Sequence, residues 1–426
     1  MQINKKIKEF ILNNLVQEKN RKIGIEIETF YTDQKLNRIP VNPSNQFSSI
    51  DFLHQIKRQN QNNKVSYSLE PGGQLEWASS PTISLWDLQS EFEEHLSYEN
   101  KIIKEQNIVK LETSVDPLNS IEKIAIINSP KYQLMEKFLN NYGDLSSWMM
   151  KNTTSIQINI DYCSEQDANE MAYIADNIQP LFSILFSNAP FINGEMAKEK
   201  NLRWEIWENT DPNRCGSLFS HNIKKMESFV DDYINWIINQ PAMFNINNQG
   251  KYIKSKGALK DMLNANNDID SQIDIVLHQS FTNVRLKPFL EIRSADRQLK
   301  GDEIIPTAFM VGLLCAPETR NKTIEMINSW SELDKSILIE SAFSVSFASN
   351  GPKGKMIGEY LEKISELAIE GLEERSKKFK IKNEKPFLEK FLHDILSNGT
   401  KTTQIQNKYH KTNLSLKSFI KENLTY

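Results

Sequence analysis

The sequence predicts an α+β fold, with an antiparallel sheet carrying the functional face and helices covering the rest. Two observations predict it. Segments such as KIGIEIETF (22–30) and SIQINIDY (155–162) alternate isoleucine with acidic or amide residues, the period of a half-buried strand. After Asn350 the chain changes character, and Lys355–Phe379 and Pro386–Leu396 space apolar residues among charged ones as amphipathic helices do.

Taken in order, residues 1–20 read as an amphipathic helix and Lys22–Tyr31 as a strand. Residues 33–64, rich in Asn, Gln, Ser and Pro, predict loops around one short helix near Asp51–Arg58. Val65–Trp77 holds a strand, a Pro-Gly-Gly turn and a second strand, and the two glycines suggest a close backbone approach to a substrate. Trp86–Gln106 has helical spacing, and Ser155–Tyr162 alternates as a strand. Gln166–Ser187, crossed by Pro180, and Phe219–Asn239 read as helices. Asn283–Arg293 reads as one strand whose internal Pro288 implies an edge position or a bulge. Glu303–Leu314 and Asn321–Trp330 read as helices. No repeat and no low-complexity linker interrupts this order.

Composition narrows the function. In 426 residues, 51 Lys and Arg against 55 Asp and Glu leave a formal charge of −4, which argues against nucleic-acid binding through net charge. No run approaches the roughly 18 apolar residues of a membrane helix, and no small-residue cleavage site follows the first basic stretch. The expectation is a soluble cytoplasmic protein with small-molecule partners, no nucleic acid and no membrane. Cys163, Cys215 and Cys315 are too few and too far apart for a disulfide framework or a zinc site. With no P-loop or dinucleotide-binding glycine string, any catalytic metal here is a hard ion held by carboxylates.

The strands supply such carboxylates. Glu26 and Glu28 share one face of their strand, with Ile23, Ile25 and Ile27 on the other. Glu70 precedes the glycine turn, and Gln74 and Glu76 follow it on one face. Gln157, Asn159 and Asp161 align on another strand, and Glu291 and Arg293 on a fourth. Four such strands suggest a concave sheet whose polar face holds two or three Mg²⁺ ions against nucleotide phosphates, with Arg293 stabilising a transferring phosphoryl group.

These strings resemble the glutamate–cysteine ligases of the plant and proteobacterial type. EPGGQLEWASSP (70–81) is similar to the family's EPGGQ-E-x-S-x-x-P signature. KIGIEIETF, MMKNTTSIQINIDY, QPLFSILFSNAPFING, RWEIWENTDPNRCG and FTNVRLKPFLEIRSAD follow in the family's order, so the resemblance covers about residues 20–320. The chain departs from the family at Asn152 and Thr154, where Arg and Cys are usual, and at Ala78–Ser80.

The resemblance implies a glutamine-synthetase-like funnel of curved antiparallel sheet and a catalytic domain over residues 1–350. Residues 351–426 are expected to form a helical region packed on it. It implies ATP-dependent ligation of the γ-carboxylate of L-glutamate to the amino group of L-cysteine through γ-glutamyl phosphate, as in the first step of glutathione synthesis. By motif position, Glu26, Glu28, Glu70, Glu76 and Glu291 would hold Mg²⁺, for which Mn²⁺ substitutes. Gln157, Asn159, Asp161, Arg285, Lys287 and Arg293 would face ATP, and Arg203, Trp207, Thr210 and Arg214 the glutamate. Arg293, Glu291 and Glu76 are the residues expected at the reacting groups. Other readings stay open: a relative joining glutamate to another amine, a guanidino-type kinase, or a sensor without catalysis.

Overall fold

Seven strands form one antiparallel sheet in a computed structural model that describes residues 2–60, 64–247, 249–264 and 269–426. In chain order the strands are β1 (Ile23–Thr32), β2 (Ser66–Leu69), β3 (Leu75–Ala78), β4 (Val109–Leu111), β5 (Ser155–Ile160), β6 (Val284–Leu286) and β7 (Leu290–Asp296). Their order across the sheet is β6-β7-β5-β1-β3-β2, and β4 pairs with the far end of β1. Glu26 stands opposite Gln157, Glu28 opposite Glu76, and Glu291 between Asn159 and Arg285. Alternation along each strand therefore becomes a single polar face across five strands.

The other face is apolar. Ile23, Ile25, Ile27, Ile156, Ile158, Ile160, Leu290 and Ile292 are each at most 2% exposed. Burying such a side chain fully is worth about 1.5–3 kcal/mol, so this face decides which way the strands turn.

The helices are α1 (Gln2–Ile11), α2 (Ser49–Gln59), α3 (Leu85–Gln106), α4 (Pro130–Leu139), α5 (Ser146–Asn152), α6 (Glu165–Leu185), α7 (Leu202–Glu208) and α8 (Phe229–Ile237). They continue with α9 (Leu259–Asn264), α10 (Ile269–Leu277), α11 (Ile305–Leu314), α12 (Pro317–Asn328) and α13 (Glu332–Ser341). The last four are α14 (Ile357–Phe379), α15 (Pro386–Asn398), α16 (Lys401–His410) and α17 (Leu416–Asn423). Helix α6 starts at the Ser164 cap, whose hydroxyl accepts from the Asp167 amide, and runs through Pro180 along the apolar face of the sheet. The long α14 lies across α11, every residue of which is buried. Among the described residues no helix is long and apolar enough to cross a membrane.

Three sequence expectations change. Asn283–Arg293 is a hairpin rather than one strand: Pro288 sits in the turn between β6 and β7, where its missing N–H is not needed. Phe219–Asn239 is broken into 3-10 turns at Leu218–His221 and Met226–Ser228 before α8 begins. The first helix stops at Ile11, and residues 61–63 of the Asn-rich segment lie outside the described residues.

Candidate active site

A cleft of about 300 Å³ opens on the polar face of the sheet, between the strands and helices α4, α5 and α7. Glu26, Glu28, Glu70, Glu76, Gln157, Arg285, Lys287, Glu291 and Arg293 all line it. The sheet register brings together residues that are up to 267 positions apart in the chain (293 − 26).

Glu28, Glu70 and Glu76 form its acidic centre, each offering an oxygen within 4.8 Å of the other two. Burial, and then repulsion from Glu76, push the Glu28 carboxyl up to about 7. Burial and the nearby Glu28 do the same to Glu70. Glu76 is likewise driven well above the usual carboxylate range by burial and by Glu26 and Glu70. The Ser155 amide and the Gln157 side chain donate to Glu28 at 2.8 and 2.9 Å, and Ser68 Oγ donates to Glu76 at 2.6 Å. Asn159 Nδ2 donates to Glu26 at 2.8 Å. Among the described residues the buried Gln74 Oε1 has no donor, although its Nε2 is held by the Thr153 carbonyl at 2.9 Å. Mutually repelling carboxylates beside an unsatisfied amide oxygen form a set of hard oxygen donors, which fits a divalent cation of the Mg²⁺ class.

Glu291 stands apart from that cluster in a cage of cations. Arg285 grips it with Nε at 2.5 Å and Nη2 at 2.9 Å, Lys287 lies at 3.0 Å and Arg293 at 3.3 Å. Burial alone would raise this carboxyl, but the three cations outweigh it and hold the group well below the usual range. A β-bulge between Ile292 and Ala295 adds one residue to β7 beside Arg293. Gln157 Oε1 accepts from Arg293 Nη1 at 2.7 Å.

The indole of Trp207 is shared by two guanidiniums, with Arg203 and Arg293 each 5.7 Å from the ring centre. Beyond it lies a recess of about 10 Å³, enough for one water-sized group. Arg203, Trp204, Trp207, Asn283 and Ser294 line this recess, and among the described residues Arg203 Nε, Trp204 Nε1, Trp207 Nε1, Asn283 Nδ2 and Ser294 Oγ have no hydrogen-bond partner. Four of those five atoms are N–H donors, so the recess suits an anionic or carbonyl oxygen.

Other expected site residues lie elsewhere. Arg214 is fully buried, bonded to Asp211 at 2.7 Å and to the carbonyls of Gln279 and Pro241, and lies outside the lining of both the cleft and the recess. Thr210 is equally buried and donates to the Ile206 carbonyl. Asp161 follows the last paired residue of β5 and accepts from the Lys22 amide, beyond the cleft lining. Gly72 and Gly73 are needed for protein contacts rather than for a ligand: a methyl on Gly72 would meet the Lys151 carbonyl, and one on Gly73 the Ser49 hydroxyl. Gly73 also has a φ of +80°. Asp296 and Arg297, at the end of β7 and just after it, are buried. Cys215 is buried too, and burial pushes its thiol far up despite the adjacent Arg214.

Sequence reasoning missed one wall of the cleft. Lys131, Tyr132 and Met135 of α4, Met149 and Met150 of α5, and His278 after α10 all line it. The motif MMKNTTSIQINIDY carries the two α5 methionines, but α4 and α10 offered no polar alternation to read.

Comparison with known proteins agrees with this fold. The fold recurs in the crystal structure of glutamate–cysteine ligase from Francisella tularensis in complex with AMP. That match has a TM-score of 0.60 at 13% identity and covers 95% of this chain and 87% of that one. A bifunctional glutathione synthetase from Pasteurella multocida matches with a TM-score of 0.50 at 14% identity, over 99% of this chain and 52% of that one. The chain belongs to glutamate-cysteine ligase family 2, whose family model matches residues 22–409. Among relatives, the chloroplastic glutamate–cysteine ligase of Nicotiana tabacum is 27% identical over 361 residues, 82% of this chain and 66% of that protein. Chloroplastic glutamate–cysteine ligase A of Oryza sativa subsp. indica is 30% identical over 325 residues, 74% and 65% respectively. The match spans just under two thirds of the length of these relatives.

Proposed function

We propose that the chain joins the γ-carboxylate of L-glutamate to the amino group of L-cysteine through γ-glutamyl phosphate, yielding γ-glutamylcysteine, ADP and phosphate. Membership of the family and the names of its relatives support this reading. The observation that carries it is one cleft with the Glu28, Glu70 and Glu76 cluster on one side and Arg285, Lys287 and Arg293 gathered on Glu291 on the other.

In this reading two or three Mg²⁺ ions, or Mn²⁺ in their place, supply positive charge that neutralises the nucleotide phosphates. Glu26, Glu28, Glu70 and Glu76 would hold them, with Glu291 at the edge of the set. Arg285 and Lys287, anchored on Glu291, present cations to the phosphates; Gln157 and Asn159 orient the first carboxylates by hydrogen bonds. Arg293 is pinned by Gln157 and Glu291 through one nitrogen, leaving the rest of its fork for charge that develops on a transferring phosphoryl group. Arg203 and Trp207 offer their unpartnered donors to the glutamate, while Arg214 and Thr210 hold the wall behind them.

All of these side chains lie before residue 350, so the same reading assigns the chemistry to residues 1–350 and a bracing role to residues 351–426. It also sets the protein in a reducing, cytoplasmic environment, in keeping with three free thiols, although the relatives above are chloroplastic.

Hydroxylamine tests the intermediate. With glutamate, ATP and Mg²⁺ it should yield γ-glutamyl hydroxamate and phosphate together, because a small strong nucleophile can replace the amine. Cysteine should compete with it and outperform serine and alanine. A thiol distinguished from a methyl is worth only about 1–3 kcal/mol, so some 2-aminobutyrate turnover is expected. Hydroxamate without competition by cysteine would shift the reading to another amine. ADP formation with neither hydroxamate nor peptide would overturn it.

A further inference from the structure

Arg38 belongs to none of the motifs above and does not line the cleft, yet it joins the segments that carry the carboxylates. Its side chain is 7% exposed, and its guanidinium lies 4.2 Å from the centre of the Phe30 ring. Nη2 donates to the Gly72 carbonyl at 2.8 Å. Nη1 reaches the Lys151 carbonyl and Asn152 Oδ1, both at 3.4 Å, and Asp116 Oδ2 at 3.5 Å. Asp116 already accepts from the amides of Leu118 and Asn119 and from the Asn119 side chain, so the ion pair is long and shared. A buried cation held mostly by neutral oxygens is costly to keep for stability alone.

Its contacts point to another role. Gly72 lies in the turn that joins β2 to β3, with Glu70 before it and Gln74 and Glu76 after it. Lys151 and Asn152 end α5, just before β5, whose first residue Ser155 donates its amide to Glu28. The turn is bound to α5 from the other side as well, because Gly72 N–H donates to the Met150 carbonyl at 3.1 Å. Arg38 thus cross-links the hairpin bearing Glu70 and Glu76 to the segment that orients Glu28.

We propose that Arg38 is a positioning residue that sets the spacing of Glu70 and Glu76 from Glu28, and thereby the affinity of the cleft for a divalent cation. This rests on the metal-site reading above. The planar fork serves several acceptors at fixed angles, whereas an ammonium makes a point contact. Loss of a side chain that orients metal ligands from behind typically weakens metal binding about 10–100-fold.

The test titrates the purified full chain with Mn²⁺ and reads the free ion by electron paramagnetic resonance. Wild type is measured first, since absence of bound Mn²⁺ there sinks the metal site itself and this proposal with it. If wild type binds, Arg38→Met and Arg38→Lys are both expected to raise the Kd about tenfold or more while circular dichroism stays unchanged. Saturating Mg²⁺ should then restore the wild-type turnover rate. Wild-type Mn²⁺ affinity in a folded variant overturns the proposal, and so does a weakened affinity whose rate saturating Mg²⁺ fails to restore. Should Arg38→Met not fold, Arg38→Lys decides alone by the same two readings.

Discussion

Glu28 and Glu76 face each other across one rung of the sheet, an arrangement that destabilises a strand pair unless something neutralises it. In the metal-free chain protons do so, since burial and repulsion from Glu76 hold Glu28 up to about 7, and burial and repulsion from Glu28 hold Glu70 there too. Above about pH 4.3, the ordinary glutamate value, the unfolded chain has released protons that the folded chain still holds. Metal-free stability therefore falls as pH rises from there through about 7. A bound cation displaces those protons, so Mg²⁺ should raise the melting temperature more at about pH 8 than at about pH 6. Calorimetry in two buffers of different ionisation enthalpy should show proton release on binding. Equal stabilisation at both pH values with no proton release would mean that these carboxylates do not take the ion. At this scale the acidic face was legible, because period-two alternation displays it. The cations on Glu291 were legible only as neighbours in sequence, not as a cage.

The helical layer behind the sheet depends on two glycines at one crossing. A methyl group on Gly312 would run into the Ala368 carbonyl, and one on Gly371 into the Gly312 carbonyl, so α11 and α14 touch backbone to backbone. Gly371→Ala is expected to lower stability by about 1–3 kcal/mol or more, since neither partner is a flexible side chain that could move aside. Thermal denaturation should show the loss while Mn²⁺ affinity of the folded protein holds, because the crossing lies behind the apolar face. An unchanged melting temperature would show that the helices can separate without penalty. The amphipathic pattern announced α14, but no local signal in the sequence marks which helix its glycine meets. The β6–β7 hairpin teaches the same lesson: Pro288 marks an interruption, and only the pairing of Val284 with Ile292 makes it a turn.

Among the described residues the main apolar core runs from Ile7 through the sheet isoleucines to Leu361, Ile364, Leu388 and Ile395. Ile357, Leu361, Ile364, Leu367 and Leu372 of α14 are part of that core, close to α11, whose residues are all buried. A chain ending at Asn350 would expose this surface to water, which favours aggregation or a loosely packed state. Such a protein is expected to bind a hydrophobic dye and to lose its near-ultraviolet dichroism. A soluble, cooperatively unfolding 1–350 protein that binds Mn²⁺ would instead make the two regions separable units.

The polar faces of the strands, the glycine turn and the order of motifs that led to the family are legible along the chain, because each is a local pattern with a fixed period or spacing. Tertiary structure alone decided which of those residues meet. It put Glu28 against Glu76 and Glu291 against three cations, and it turned Arg214 and Thr210 into wall. It also drew Arg38 onto a turn 34 residues away. Strand register, the β7 bulge and the docking of α4 and α5 are set by packing between distant segments, and no short-range pattern encodes those contacts.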